Sequence, residues 1–220
     1  TMNILNGSIE RQNNWIGEIK MKQVIFATSN PSKVKRFADG LLNEGIQLLC
    51  LKDLDLKLDI EENGQTAIEN ALIKARACYK LTHKSVIGMD DTLYMEGVPL
   101  ERQPGLFVRR INGKTLNDEE LLKHYISIVK EYGVDGKVDC KWIYGLAVIN
   151  ENGEESVYTW FKDNFYMVDV PSEIKHPGYP LNSISKYKVI DKYFTEVSED
   201  DKRCISVDES DVIQFIVDHM

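Results

Sequence analysis

Two groups of residues in this chain have the types and spacing for joint chemistry. The first is Thr28-Ser29-Asn30-Pro31-Ser32-Lys33, which follows the apolar run Val24 to Ala27 and precedes a helix-compatible segment. A strand, a polar turn and a helix start bring unpaired N–H groups, partial positive charge and an ammonium together, a combination that suits phosphate. The second is Asp90-Asp91, placed after the apolar run Val86-Ile87-Gly88-Met89. Carboxylates at a strand's end face the crevice in which α/β proteins bind ligands. Two adjacent acids there suit a hard divalent cation or the activation of a water. Alone, each group has a plainer reading: a capped α/β turn, and a solvated acidic loop start.

Three further features lie near these groups in sequence. Glu61-Glu62 form an acidic pair before Gly64, with an exposed charged turn as the plain alternative. Lys74 follows Ala71 by three residues, on the small side of a helical pattern. It either aims an ammonium at the same crevice or extends into solvent. Arg109-Arg110 follow the turn Pro104-Gly105, and arginine's planar fork matches phosphate oxygens. On extended backbone two adjacent arginines point opposite ways, so at most one of them faces a ligand.

The elements that must carry these residues alternate along the chain. The pattern predicts strands over Lys22–Thr28, Ile46–Leu51 and Ser85–Met89, and a hairpin of Lys141–Ile149 with Glu155–Phe165 around Asn150-Glu151-Asn152-Gly153-Glu154. It predicts helices over Lys33–Glu44, Thr66–Leu81, Asn117–Tyr132 and Asp208–Asp218. Asn117 and Glu120 have the spacing of a capping box. Helical segments before and after long central strands give an α/β fold, with a mixed sheet and a cleft between two lobes. Residues 1–20 lack periodicity and the apolar core of a signal peptide. They are read as an N-terminal extension, native or left over from cloning, ahead of a single domain over 21–220.

The bulk composition narrows the partners. With 220 residues, 43% hydrophobic and 28% charged, the chain has the make-up of a globular domain with a sizeable core. No apolar run reaches bilayer-spanning length. A formal net charge of −8 disfavours a general nucleic-acid or anionic-membrane binder. It leaves room for a polyanionic small ligand in a locally cationic cleft. Cys50, Cys78, Cys140 and Cys204 are scattered and read as reduced thiols of a cytoplasmic protein. His83, His124, His176 and His219 contain no metal-ligand spacing.

Taken together, three segments resemble the inosine triphosphate pyrophosphatase family, which acts on non-standard purine nucleoside triphosphates. They are Phe26 to Lys33, Glu61-Glu62-Asn63-Gly64-Gln65-Thr66-Ala67-Ile68-Glu69-Asn70-Ala71-Leu72-Ile73-Lys74-Ala75, and Asp90-Asp91-Thr92; Pro104-Gly105 matches less closely. The resemblance spans about residues 22–206. It implies an elongated two-lobed α/β fold, a homodimer, and Mg²⁺-dependent (or Mn²⁺-dependent) hydrolysis of a nucleoside triphosphate to monophosphate and pyrophosphate. Carried over by position, Thr28, Ser29, Asn30 and Lys33 would hold the triphosphate. Glu61 and Asp91 would hold the metal, and Asp91 or Asp90 would orient the attacking water. Lys74 and Arg110 would lie near the phosphates.

The chain departs from the family on one side of the expected cleft. The family's base-binding loop reads roughly Gly-Phe-Gly-Tyr-Asp-Pro, and here it is His176-Pro177-Gly178-Tyr179-Pro180-Leu181. Gly178 and Tyr179 match, whereas Pro177 stands for the stacking aromatic and Pro180 for the Asp. The later Lys…Ser-His-Arg motif aligns with Lys202 and Ser206, but Val207 and Asp208 replace His and Arg. Asp208 then either accepts from an amino group on a different base or caps the last helix. A site that loses partners built for a substrate group loses discrimination. An active pyrophosphatase with altered base preference is therefore expected. The alternative is a non-catalytic nucleotide sensor of the same fold. The related septum-inhibitor-like pyrophosphatases are less similar, because their Ser-x-Ser-Pro-Arg-Arg opening is not present.

Overall fold

The computed structural model describes residues 21–205 and 208–220; the expected extension over 1–20 lies outside the described residues, as do Ser206 and Val207. In chain order the elements are β1 (Lys22–Phe26), α1 (Pro31–Asn43), β2 (Ile46–Cys50), α2 (Ala67–Thr82), β3 (Val86–Met95), β4 (Arg110–Ile111), β5 (Lys114–Thr115), α3 (Asp118–Tyr132), β6 (Lys137–Ile149), β7 (Glu155–Val168), β8 (Ser185–Tyr187), α4 (Glu199–Cys204) and α5 (Ser210–His219). Six strands form one mixed sheet in the order β2-β1-β3-β6-β7-β8. The first three run parallel, and the other contacts are antiparallel.

The long strands β6 and β7 connect two packed regions. In the first, Met89, Leu146 and Val148 pack with Phe37 and Leu41 of α1 and with Val212 and Ile216 of α5. The opposite face of the same sheet region is covered by α2 through Ala71, Ala75 and Cys78. In the second region, Val138, Cys140, Phe165 and Met167 pack with Leu121, Tyr125, Ile128 and Val129 of α3. Trp142 touches the clusters of both regions.

The local signals explain the element boundaries. Helix α1 begins at Pro31, two residues before the expected start, because Asn30 is the N-cap and accepts from Ser32 N at 2.9 Å. The expected capping box on α3 is present, with Asn117 and Glu120 exchanging bonds. Strand β3 is the main correction. It does not stop at Met89 but continues to Met95, paired along its whole length with β6. Asp90 and Asp91 are thus mid-strand. They nevertheless open onto a crevice, because β1 ends at Phe26, opposite Ile87, and leaves β3 without a parallel neighbour from there on.

Two glycines set the depth of α2. A Cβ on Gly88 would lie 2.0 Å from the Ala71 carbonyl oxygen, and one on Gly145 would lie 2.4 Å from the Ala67 carbonyl carbon and the Ile68 nitrogen. Gly145 is the cross-strand partner of Asp90. Without side chains at these points, α2 lies close enough for its own polar residues to reach Asp90.

Candidate active site

The crevice starts at the turn after β1. Ala27 N donates to Ile87 O at 2.8 Å, and Asn30 N donates to Thr28 Oγ1 at 3.1 Å. With the Asn30 cap these bonds fix the path of Thr28, Ser29 and Asn30 into α1. The turn lines a cavity of about 260 Å³ together with Lys33, Glu62 and Lys74. Asn30 uses its side-chain oxygen on its own helix, so its amide nitrogen is the part left to meet a ligand.

Beside this turn runs a ribbon of alternating charge. Lys33 Nζ donates to Asp91 Oδ1 at 3.1 Å and lies 3.8 Å from Asp90 Oδ1. Lys74 Nζ lies 3.2 Å from Asp90 Oδ1 and 2.8 Å from Glu62 Oε2. Asn70 Nδ2 donates to Asp90 Oδ2 at 2.8 Å, while Asn70 Oδ1 accepts from Gly64 N at 2.9 Å. Both Asp90 oxygens are therefore engaged. Asp91 is the more open carboxylate, with 31% of its side chain exposed against 12% for Asp90. Lys74 follows the first of its two sequence alternatives, since its ammonium enters the crevice.

The acidic pair and the arginine pair each divide. Glu62 lines the crevice, whereas Glu61 lines a different cavity between the 57–61 segment and Arg76, Ala77 and Lys80 of α2. Arg110 lies over the Phe107 ring, 5.6 Å from its centroid, and shares a cavity of about 220 Å³ with Glu62 and Asn70. Arg109 turns instead to the 176–181 loop. Its Nη2 donates to Gly178 O at 2.8 Å and lies 2.8 Å from Asp118 Oδ1. Asp118 Oδ2 accepts from Gly178 N at 2.8 Å. The bond from Gly178, then that from Arg109, hold the Asp118 carboxyl below the usual aspartate range.

That loop faces the crevice from the second region. Gly178 has φ +81°, which favours glycine, and the Tyr179 hydroxyl is bonded to Ser32 Oγ of α1. Lys202 pairs with Glu199 on α4, and Asp208 Oδ1 accepts from Ser210 N at 2.8 Å. The cap-type reading of Asp208 therefore describes its contact, although Glu209 is the residue at the cap position. Glu209 itself accepts from Arg36 Nε at 2.6 Å and Lys162 Nζ at 2.6 Å. The Arg36 guanidinium lies 4.4 Å from the centroid of Tyr144, whose phenol burial pushes up to about 12.

The donor set fits a divalent ion that binds together with its ligand. Among the described residues no three His, Cys, Asp or Glu side chains form a metal cage. Mg²⁺ commonly takes one or two carboxylates and completes its shell with waters and substrate phosphates. Asp91, the more open carboxylate, supplies a hard oxygen of that kind, and Glu62 is linked to Asp90 through Lys74.

Several contacts were not assigned from the sequence. Asn70 sits within the 61–75 segment, yet nothing in a helical pattern marks it as the link between Gly64 and Asp90. Arg36, Lys162 and Glu209 are far apart in sequence, and only the fold brings them together. Ser32 and Asp118 join the loop through similarly long-range contacts.

A carboxylate–lysine ribbon beside a polar helix start, on a mixed α/β sheet, is an arrangement whose chemistry suits phosphate and a hard cation. The chain belongs to the Ham1 family, whose model matches residues 24–207. A Bacillus subtilis dITP/XTP pyrophosphatase is 31% identical over 188 residues, covering 86% of this chain and 92% of the relative. A dITP/XTP pyrophosphatase of Bacillus licheniformis is 39% identical over 190 residues, covering 84% and 92%. The structure of the Staphylococcus aureus Ham1 protein superposes with a TM-score of 0.70 at 19% identity, over 90% of this chain and 100% of that one. The expected α/β fold with a central mixed sheet is thus shown. Membership of the family implies a nucleotide substrate and a divalent cation.

Proposed function

We propose that this chain hydrolyses a nucleoside triphosphate to the monophosphate and pyrophosphate, with Mg²⁺ as its ion and Mn²⁺ as a substitute. The observation that carries this reading is the Lys33–Asp91 and Lys74–Asp90 ribbon where β1 ends. The Thr28–Lys33 turn receives the triphosphate through Thr28, Ser29, Asn30 and the Lys33 ammonium. Lys33 and Lys74 exchange carboxylate contacts for phosphate oxygens, and Arg110 lines a neighbouring cavity that Glu62 also borders. Asp91, the more exposed acid, orients the attacking water and takes up its proton. Asp90, bonded on both oxygens, positions Lys74. The bound cation supplies charge neutralisation at the phosphates, with Asp91 and a Glu61-Glu62 carboxylate as its protein ligands. In this reading the second ligand is Glu62, which lines the cavity of Lys33 and Lys74 while Glu61 lines another. On the base side, Gly178, Tyr179, Lys202 and Ser206 are the candidate substrate contacts.

The experiment is pyrophosphate release across a panel of nucleoside triphosphates, with and without Mg²⁺. No release from any of them would overturn the reading in favour of a nucleotide sensor. We further infer that the protein works as a homodimer in the cytoplasm. Tyr94 and Ile143 with Phe161 leave apolar surface on one sheet face, 37–58% exposed. The four cysteines are free. Among the described residues no helix is long and apolar enough to cross a membrane.

A further inference from the structure

We propose that Arg109 and Asp118 are positioning residues that hold the 176–181 loop against the start of α1, and thereby set where the base of a bound nucleotide lies. The inference rests on the nucleotide reading above. Three contacts close a ring around one residue, tying the peptide groups on both sides of it: Arg109 donates to Gly178 O, Asp118 accepts from Gly178 N, and the two side chains pair with each other, each at 2.8 Å. Both faces of Gly178 are thus held in a conformation, φ +81°, that few other residues adopt. The next residue, Tyr179, reaches across the crevice to Ser32, which lies between Asn30 and Lys33 in the phosphate turn. The clamp therefore connects the second region, through α3 and the turn before β4, to the first region at the point where phosphates bind. Asp118 is not spent on its helix, because Asn117 and Glu120 cap α3 reciprocally. Losing its carboxylate releases the loop and leaves the helix start intact. The clamp acts on backbone, so it fixes the loop's position whatever side chains stand at 177 and 180.

The test compares Arg109→Ala, Asp118→Ala, the double variant and Arg109→Lys with the native chain. Binding of α,β-methylene inosine triphosphate, in which the cleaved bond is blocked, is measured by calorimetry alongside the KM and kcat of the hydrolysed nucleotides. Both clamp side chains are partly solvated, so the expected loss is moderate: about three- to tenfold in Kd and KM, with kcat within about twofold. The double variant should lose no more than either single one, because the ring acts as a unit. Arg109→Lys should recover part of the affinity. Competition by inorganic tripolyphosphate, which has no base, should not change. An unchanged nucleotide Kd in both alanine variants, or an equal loss for tripolyphosphate, would overturn the proposal. Failure of the native chain to hydrolyse any nucleotide would instead overturn the functional reading, and the calorimetric comparison would still decide on the clamp.

Discussion

The two sides of the crevice spend their polar groups differently. On the side proposed for the phosphates, Lys33, Lys74 and Glu62 line the cavity, paired with one another and with Asp90 and Asp91, and Asp91 is bonded to Lys33 through one oxygen. On the loop side, charges are used on the protein itself: Arg109 and Asp118 on Gly178, Lys202 on Glu199, and Asp208 on Ser210. Groups already satisfied have little to offer a base edge, and discrimination by hydrogen bonding requires partners that a wrong substrate leaves unpaired. The contrast teaches that this chain should be demanding about phosphates and the ion, and tolerant about the base.

The largest effects should therefore come from the phosphate side. Excess chelator should abolish pyrophosphate release, and added Mg²⁺ should restore it. Asp91→Asn should lower turnover by at least about 10²-fold, the lower range for removing a general base or a charge-stabilising group. Its melting profile should stay near native, because the change removes charge and little volume. Near-native turnover in this variant would move the proton acceptor elsewhere and break the comparison at its strongest point.

Base preference is the next measure. The ratio of kcat/KM for inosine and adenosine triphosphates should stay below about a thousand. Each charge-assisted bond that the loop side no longer offers removes roughly one to two decades of discrimination. A larger ratio would mean that groups bonded internally here are released to the base when it binds. Lys33→Ala should follow with a weakening of about 10- to 100-fold, roughly the 1.5–3 kcal/mol of a hydrogen bond from a charged group. That loss should be the same for every base. A loss confined to one nucleotide would place Lys33 in base recognition and blur the division between the two sides.

The same division marks what the sequence made legible. The phosphate side could be read because its residues come in short contiguous runs, 28–33, 61–75 and 90–92, each tied to one turn or helix. The parallel strands and four of the helices followed from periodicity for the same reason. Strand β3 was expected to stop at Met89 because two adjacent acids look like a strand end. Its continuation through Thr92-Leu93-Tyr94-Met95 depends on pairing with β6, a long-range contact. The strands β4, β5 and β8 and the helix α4 are too short to carry a period. The loop side was legible only as a set of departures from the family pattern. Its actual contacts, Ser32 with Tyr179 and Arg109 with Gly178, join residues more than sixty positions apart.

The smallest expected effect concerns the charge cluster that joins α5 to α1 and β7. Burial alone would raise the Glu209 carboxyl, but hydrogen bonds from Arg36 and Lys162 outweigh it and hold the group below the usual glutamate range. A carboxylate depressed in the folded state stabilises the fold fully above its unfolded pKa, about 4.3, and loses that contribution as pH falls through the folded value. The native melting temperature should thus decline on the acid side, below about pH 4.5. Glu209→Gln removes that titration and leaves the Arg36 and Lys162 charges without their shared partner. The variant should melt a few degrees lower at pH 7, on a scale where 1 kcal/mol corresponds to about 2–4 °C for a chain of this size. Its curve should be flatter below pH 4.5 and converge on the native one. Its kcat/KM at pH 7 should change by less than about threefold, since the cluster's charge is directed at the protein and not at the crevice. Parallel melting curves would show that Glu209 does not carry the acid-side loss. A tenfold fall in kcat/KM without a change in melting would place the cluster in the ligand site and erase the contrast between the two sides.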